Sequence, residues 1–145
     1  MAFRRWRYKM RVVEAAGALL IAQVLIRNVR FGIWRHWLGR IDVSVDENAV
    51  VMIDMELVGA VTRAVRHVAR RGRYRCLAQE MATQWMLRRR GLSSRLVFGV
   101  EARPASGSDR ELHAWVQIGS RTVMGADPTR SYRPTLALAQ IAQAR

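Results

Sequence analysis

Cys76-Leu77-Ala78-Gln79-Glu80-Met81-Ala82-Thr83-Gln84-Trp85-Met86-Leu87-Arg88-Arg89-Arg90-Gly91 places the only thiol of the 145-residue chain at the start of a predicted helix. Leu77, Met81 and Trp85 recur at helical spacing with Ala78, Ala82 and Met86 alongside, the stripe of an amphipathic helix. Arg88, Arg89 and Arg90 fall where the negative end of the helix dipole favours cations, and Gly91 supplies the left-handed residue that follows a last turn. At the other end, the unpaired N–H groups of the first turn face the Cys76 sulfur and favour thiolate over thiol; Arg73 and Arg75 act in the same sense.

Working outward, the period changes from helical to alternating. Ser94 to Val100 reads as a strand, Leu112 to Ile118 as a second and Thr122 to Ala126 as a third; Glu101 to Arg110 is a loop. Asp127-Pro128-Thr129 ends the pairing, because proline has no N–H to donate, and Leu136 to Ile141 is predicted to close the chain as a short helix. Ahead of Cys76, residues 5 to 27 form a first helix with Val12, Ala16, Leu19, Leu20, Gln23, Val24 and Arg27 on successive turns. Phe31 to Leu38 forms a short second helix ended near Gly39. Asp42, Asp46, Glu47 and Asn48 suit a loop and the acidic start of a third helix, from about Val50 to Arg71. Helices first and then an antiparallel sheet give the α+β class. We expect one domain over 1–145, with a helical N-terminal part at 1–49 and a catalytic core at 50–145.

Composition narrows the chemistry. One cysteine excludes an internal disulfide and an all-cysteine metal site, and three histidines supply a zinc site poorly, so no metal or cofactor is expected. The run Ala15 to Ile26 is too short to span a bilayer and no small-residue cleavage site follows it, which points to a packed helix and a cytoplasmic chain. A net charge of +14 implies an anionic partner or surface without choosing among them. Nucleic-acid binding is the competing class, but the arginines form no recognisable motif or aromatic-interleaved stripe.

A thiol nucleophile needs a base, and the base needs a group to fix its tautomer. His36 and His67 read as structural. His113 alone follows the cysteine helix on a strand, with Asp127 on the next. A three-residue connection Gly119-Ser120-Arg121 sets His113 opposite Asp127, on the face away from Ala114, Val116 and Ile118; a two-residue turn would send Asp127 to the other side. Each of the three has a plain structural reading, as a small buried hydrophobe, a packing ring and a turn residue. Their order along the chain, thiol then imidazole then carboxylate, is what raises the catalytic one.

Cys76-Leu-Ala-Gln, Leu87-Arg-Arg-Arg-Gly-Leu, Leu96-Val-Phe-Gly-Val and His113-Ala-Trp-Val together resemble the transglutaminase-like leader peptidase B proteins of lasso peptide biosynthesis, in their split form. The similarity covers about residues 50 to 130. Asp127-Pro-Thr is similar to the third triad element of the wider transglutaminase-like superfamily. The resemblance implies a papain-like cysteine protease core that removes the leader of a ribosomal precursor peptide in antibiotic biosynthesis. Cys76 would be the nucleophile, His113 the base and acid, Asp127 the orienting carboxylate and Trp115 a substrate-side shield. Implied partners are the lasso precursor, a PqqD-like leader-recognition protein and an asparagine-synthetase-like lasso cyclase. A transglutaminase or acyltransferase on the same fold is the alternative within this chemistry. Gln117 and Gly119-Ser120 depart from the Glu and Asp-Gly of many relatives.

Overall fold

The structure, a computed structural model, describes residues 2–41, 53–103 and 111–140. Helix α1 runs Ala2–Asn28, and a short α2, Phe31–Trp34, continues into a 3-10 turn at Arg35–Leu38. Strand β1 is Arg40–Ile41, α3 is Met55–Ala69 and α4 is Cys76–Arg88. Then come β2 (Ser94–Glu101), β3 (Leu112–Ile118), β4 (Arg121–Met124) and β5 (Tyr132–Gln140). The five strands form one antiparallel sheet in the order β1-β5-β2-β3-β4, so the α+β expectation holds. None of the described helices is long and apolar enough to cross a membrane.

Helix α4 is the centre of the molecule. It touches α1 and α3 on one side and β2, β3 and β4 on the other. Its amphipathic stripe is therefore only half of its burial: Glu80, Thr83 and Gln84 are as deeply buried as Met81 and Met86. A polar side chain inside must find a partner, and the Gln84 amide donates to the Leu138 carbonyl at 3.0 Å, tying α4 to β5. The helix ends as the sequence predicts. Gly91 has φ 78°, Leu92 N–H donates to Leu87 O (3.1 Å) and Gly91 N–H to Arg88 O (3.0 Å), the paired bonds of a Schellman cap.

Helix α3 starts later than its apolar pattern implies, because Asp54 takes the cap position and accepts from Leu57 N–H at 3.0 Å. The acidic cluster assigned to its start (Asp42, Asp46, Glu47, Asn48) lies outside the described residues, as do 104–110 of the predicted loop. The inward face of α1 is also rotated from the predicted stripe. Ala15, Leu19, Ala22 and Leu25 are buried, whereas Leu20 and Val24 stand in solvent. A run apolar on every side, as residues 15–26 are, gives periodicity no face to select.

The predicted C-terminal helix is instead β5, which lies inside the sheet between β1 and β2. Leu136-Ala137-Leu138-Ala139-Gln140 is a sequence of good helix formers, yet it alternates, and Leu138 and Gln140 point inward. Partnership with β2 overrides helix propensity here. Pro134 is accommodated where the register shifts between Phe98 and Gly99.

Replacing Leu19 by alanine should destabilise the fold by about 2–5 kcal/mol, and replacing its neighbour Leu20 by less than about 0.5 kcal/mol. Urea unfolding of the two variants measures the difference, and equal losses would mean that α1 does not sit as described.

Candidate active site

The β3–β4 connection is tighter than predicted. Ile118 pairs with Arg121 and Gln117 with Thr122, so Gly119-Ser120 is a two-residue turn. By strict alternation that turn would send Asp127 to the wrong face. A register shift follows, however: Val116 pairs with Met124, leaving Val123 as an extra residue in β4. This irregularity restores, from Val116 onward, the alignment that a three-residue turn would have set. The predicted turn is thus wrong and its consequence is recovered by a bulge.

Along β3 the side chains divide as the alternation requires. Ala114, Val116 and Ile118 join the core under α4, with Leu96, Met124 and Leu138. His113, Trp115 and Gln117 take the opposite face and line a pocket of about 360 Å³ with Thr122, Gly125, Ala126, Asp127, Pro128 and Tyr132. The His113 ring forms a three-ring cluster with Tyr132, 4.7 Å away between centroids, and Trp115, 6.0 Å away, which are themselves 6.4 Å apart. Its Nε2 lies 2.6 Å from the Gly125 carbonyl. A carbonyl oxygen only accepts, so Nε2 carries the proton and Nδ1 is the basic nitrogen of the neutral ring.

Asp127 lines the same pocket, but its carboxylate is occupied. Oδ1 accepts from the Thr129 hydroxyl (2.6 Å) and N–H (2.9 Å), an Asx turn, and Oδ2 from the Tyr132 hydroxyl at 3.4 Å. The two Thr129 bonds, hydroxyl first, hold this carboxyl below the ordinary aspartate range, and the nearby His113 adds to the effect. The carbonyl of Gly125, rather than Asp127, fixes the imidazole.

Cys76 is an exposed free thiol on the first turn of α4, outside the lining of that pocket; the structure brings His113 and Asp127 together but joins the sulfur to the imidazole by no hydrogen bond. No side chain caps this helix start, so its leading N–H groups are left for an incoming oxygen. The connection between helix and histidine runs through Glu80, one turn after Cys76 and on the same side of α4. Glu80 Oε1 lies 2.8 Å from where a Cβ on Gly125 would stand, and Ala114 O lies 2.7 Å from that point. With φ at 80°, Gly125 is the residue type that tolerates both the conformation and the crowding. Its peptide therefore touches the buried Glu80 on one side and holds His113 on the other.

The transglutaminase-like superfamily matches residues 25–137. No curated protein and no solved structure matches the chain. The chain belongs to the transglutaminase-like superfamily. Membership fits the α+β arrangement of helices and an antiparallel sheet and is compatible with cysteine peptidase or acyltransferase chemistry. Within this transglutaminase-like frame, sequence reasoning missed Glu80, Gly125 and Tyr132. Glu80 gave a signal: a carboxylate between Gln79 and Met81 on a helix whose neighbours are core residues. Tyr132 gave none, because it precedes the 136–141 segment read as a helix and the sequence offers no strand around it.

Among the described residues, Glu80 carries the clearest perturbation. Burial without a cation pushes its carboxyl up to about 8, and its Oε2 has no hydrogen-bond partner. Because this is above the unfolded value of 4.5, the stability it contributes is intact below pH 4.5 and is lost as pH rises toward 8, where the native state ionises too. Across that window the loss approaches about 1.4 kcal/mol per pH unit. Glu80→Gln should abolish this slope, so that the variant gains on the parent from pH 5 to 8. Parallel stability profiles for the two proteins would contradict the assignment.

Proposed function

We propose that this protein is a cysteine peptidase that removes the leader from a lasso peptide precursor. In this reading it acts with a PqqD-like leader-recognition protein and ahead of an asparagine-synthetase-like cyclase. What carries the reading is the imidazole of His113, fixed in one tautomer by Gly125 on a strand end against which the cysteine helix packs through Glu80. The sequence motifs that resemble the lasso leader peptidases supply the substrate class, and membership of the transglutaminase-like superfamily supports the reaction type.

The chemistry follows from these groups. Nδ1 of His113 takes the Cys76 thiol proton as the sulfur adds to the scissile carbonyl. The oxyanion that forms is met by the Cys76 N–H at the uncapped start of α4. Collapse of this intermediate breaks the C–N bond, and the imidazolium returns its proton to the departing amine, which becomes the new N-terminus of the core peptide. Water, deprotonated by the same nitrogen, then hydrolyses the thioester and regenerates the thiol. Trp115 and Tyr132, stacked around the ring, screen it from solvent. An acyl transfer would share every step but the last, with an amine in place of water, and product masses with and without an added amine separate the two.

Cys76→Ala and His113→Ala should each lower leader cleavage by a factor on the order of 10³ or more. Asp127→Asn should cost less, about tenfold, because the tautomer is held by a backbone carbonyl rather than by that carboxylate. Mass spectrometry of a lasso precursor incubated with its PqqD-like protein and each variant reads these ratios. Undiminished cleavage by Cys76→Ala would refute the nucleophile.

A further inference from the structure

Helix α1 is apolar on two opposite faces, and the fold covers one of them. Away from the buried Ala15, Leu19 and Ala22, the residues Phe3, Trp6, Met10, Val13, Leu20 and Val24 stand 48–68% exposed. With Gly17 between Val13 and Leu20, they follow one another at alternating steps of three and four. That is the a/d spacing of a coiled-coil helix, with Ile21, 52% exposed, widening the row beside Leu20. Where the seam meets the end of α4, Trp6, Met10 and Val13 form one wall of a groove completed by Arg7, Arg11 and Arg89. A concave, ridged surface takes side-chain knobs from a folded partner.

Charge says which partner. The first 41 residues hold nine lysines and arginines and one carboxylate, Glu14. Glu14 is already engaged by Arg90 at 3.1 Å and Arg89 at 3.3 Å. Partial burial and then crowding by Arg7, Arg90 and Arg63 lower the Arg11 pKa, outweighing the help of Glu14: three helices direct more guanidinium groups here than the chain neutralises. A second copy would oppose +14 with +14 and bring no free carboxylate to the seam.

We propose that the outward face of α1 is a docking seam for an acidic amphipathic helix of a partner protein, its apolar residues between Trp6, Met10 and Val13 and its carboxylates on Arg7, Arg11 and Arg89. The seam does not depend on Cys76 being catalytic, so its failure and that of the peptidase reading are separable.

The test uses the full chain carrying Cys76→Ala and a fluorescent peptide of about 20 residues, long enough to hold a helix, with leucine at the a and d positions and glutamate elsewhere. Anisotropy should show binding that weakens at least about tenfold with Met10→Glu/Val13→Glu or with Arg7→Glu/Arg11→Glu. Raising salt from about 0.1 M to about 1 M should weaken it as well. Leu112→Glu, at an exposed apolar residue on β3, should leave it unchanged. Circular dichroism checks that the variants stay folded. Absence of peptide binding, or binding indifferent to the seam variants, would overturn the proposal. So would seam-dependent binding that favours anionic phospholipid vesicles or a single-stranded oligonucleotide over the peptide, or a dimer in sedimentation that Met10→Glu dissolves.

Discussion

The peptide at Gly125 is where the cysteine helix, the histidine strand and the pocket come closest to a shared contact. A side chain there would run into the Ala114 carbonyl and into the Glu80 carboxyl, so backbone, helix and strand meet with no space between them. From that point the Gly125 carbonyl reaches His113 on the pocket face of the sheet. The cysteine helix packs on the core face of the histidine strand through Ala114, Val116 and Ile118, and Gly125 adds a contact that also reaches the imidazole on the other face. The price is a carboxyl kept protonated inside the core, since no cation is brought to it.

Much of this arrangement is legible in the sequence, for identifiable reasons. The start and end of α4, the spans of β2 and β3, and the placement of His113 with Asp127 on one pocket all follow from strong local signals: alternation, a glycine stop, a proline break. The failures are non-local. Residues 136–140 favour helix by composition, and only the vacancy beside β2 makes them a strand. Facing His113 with Asp127 by alternation alone requires a three-residue turn, while the chain reaches the same alignment with a shorter turn and an irregularity at Val123. The carboxylate of Asp127 looks like a triad member in the sequence, yet Thr129, two residues on, satisfies it locally. No pattern within one segment announces that a backbone carbonyl will do the orienting.

The pocket around His113 is small and lined by the aromatic rings of Trp115 and Tyr132. The outward seam of α1, far longer, is cationic and apolar, suited to a folded element of complementary charge. Arginine supplies that charge because its guanidinium keeps both charge and hydrogen-bonding geometry when crowded and partly desolvated. Glu14 holds Arg89 and Arg90 in place at the junction of the two helices.

The account stands on Cys76 and His113 working as one unit, and the single cysteine makes that directly measurable without a substrate. The rate at which iodoacetamide alkylates the protein at neutral pH should fall at least about tenfold in His113→Ala, because the ring no longer takes the thiol proton. Equal rates in parent and variant would contradict it.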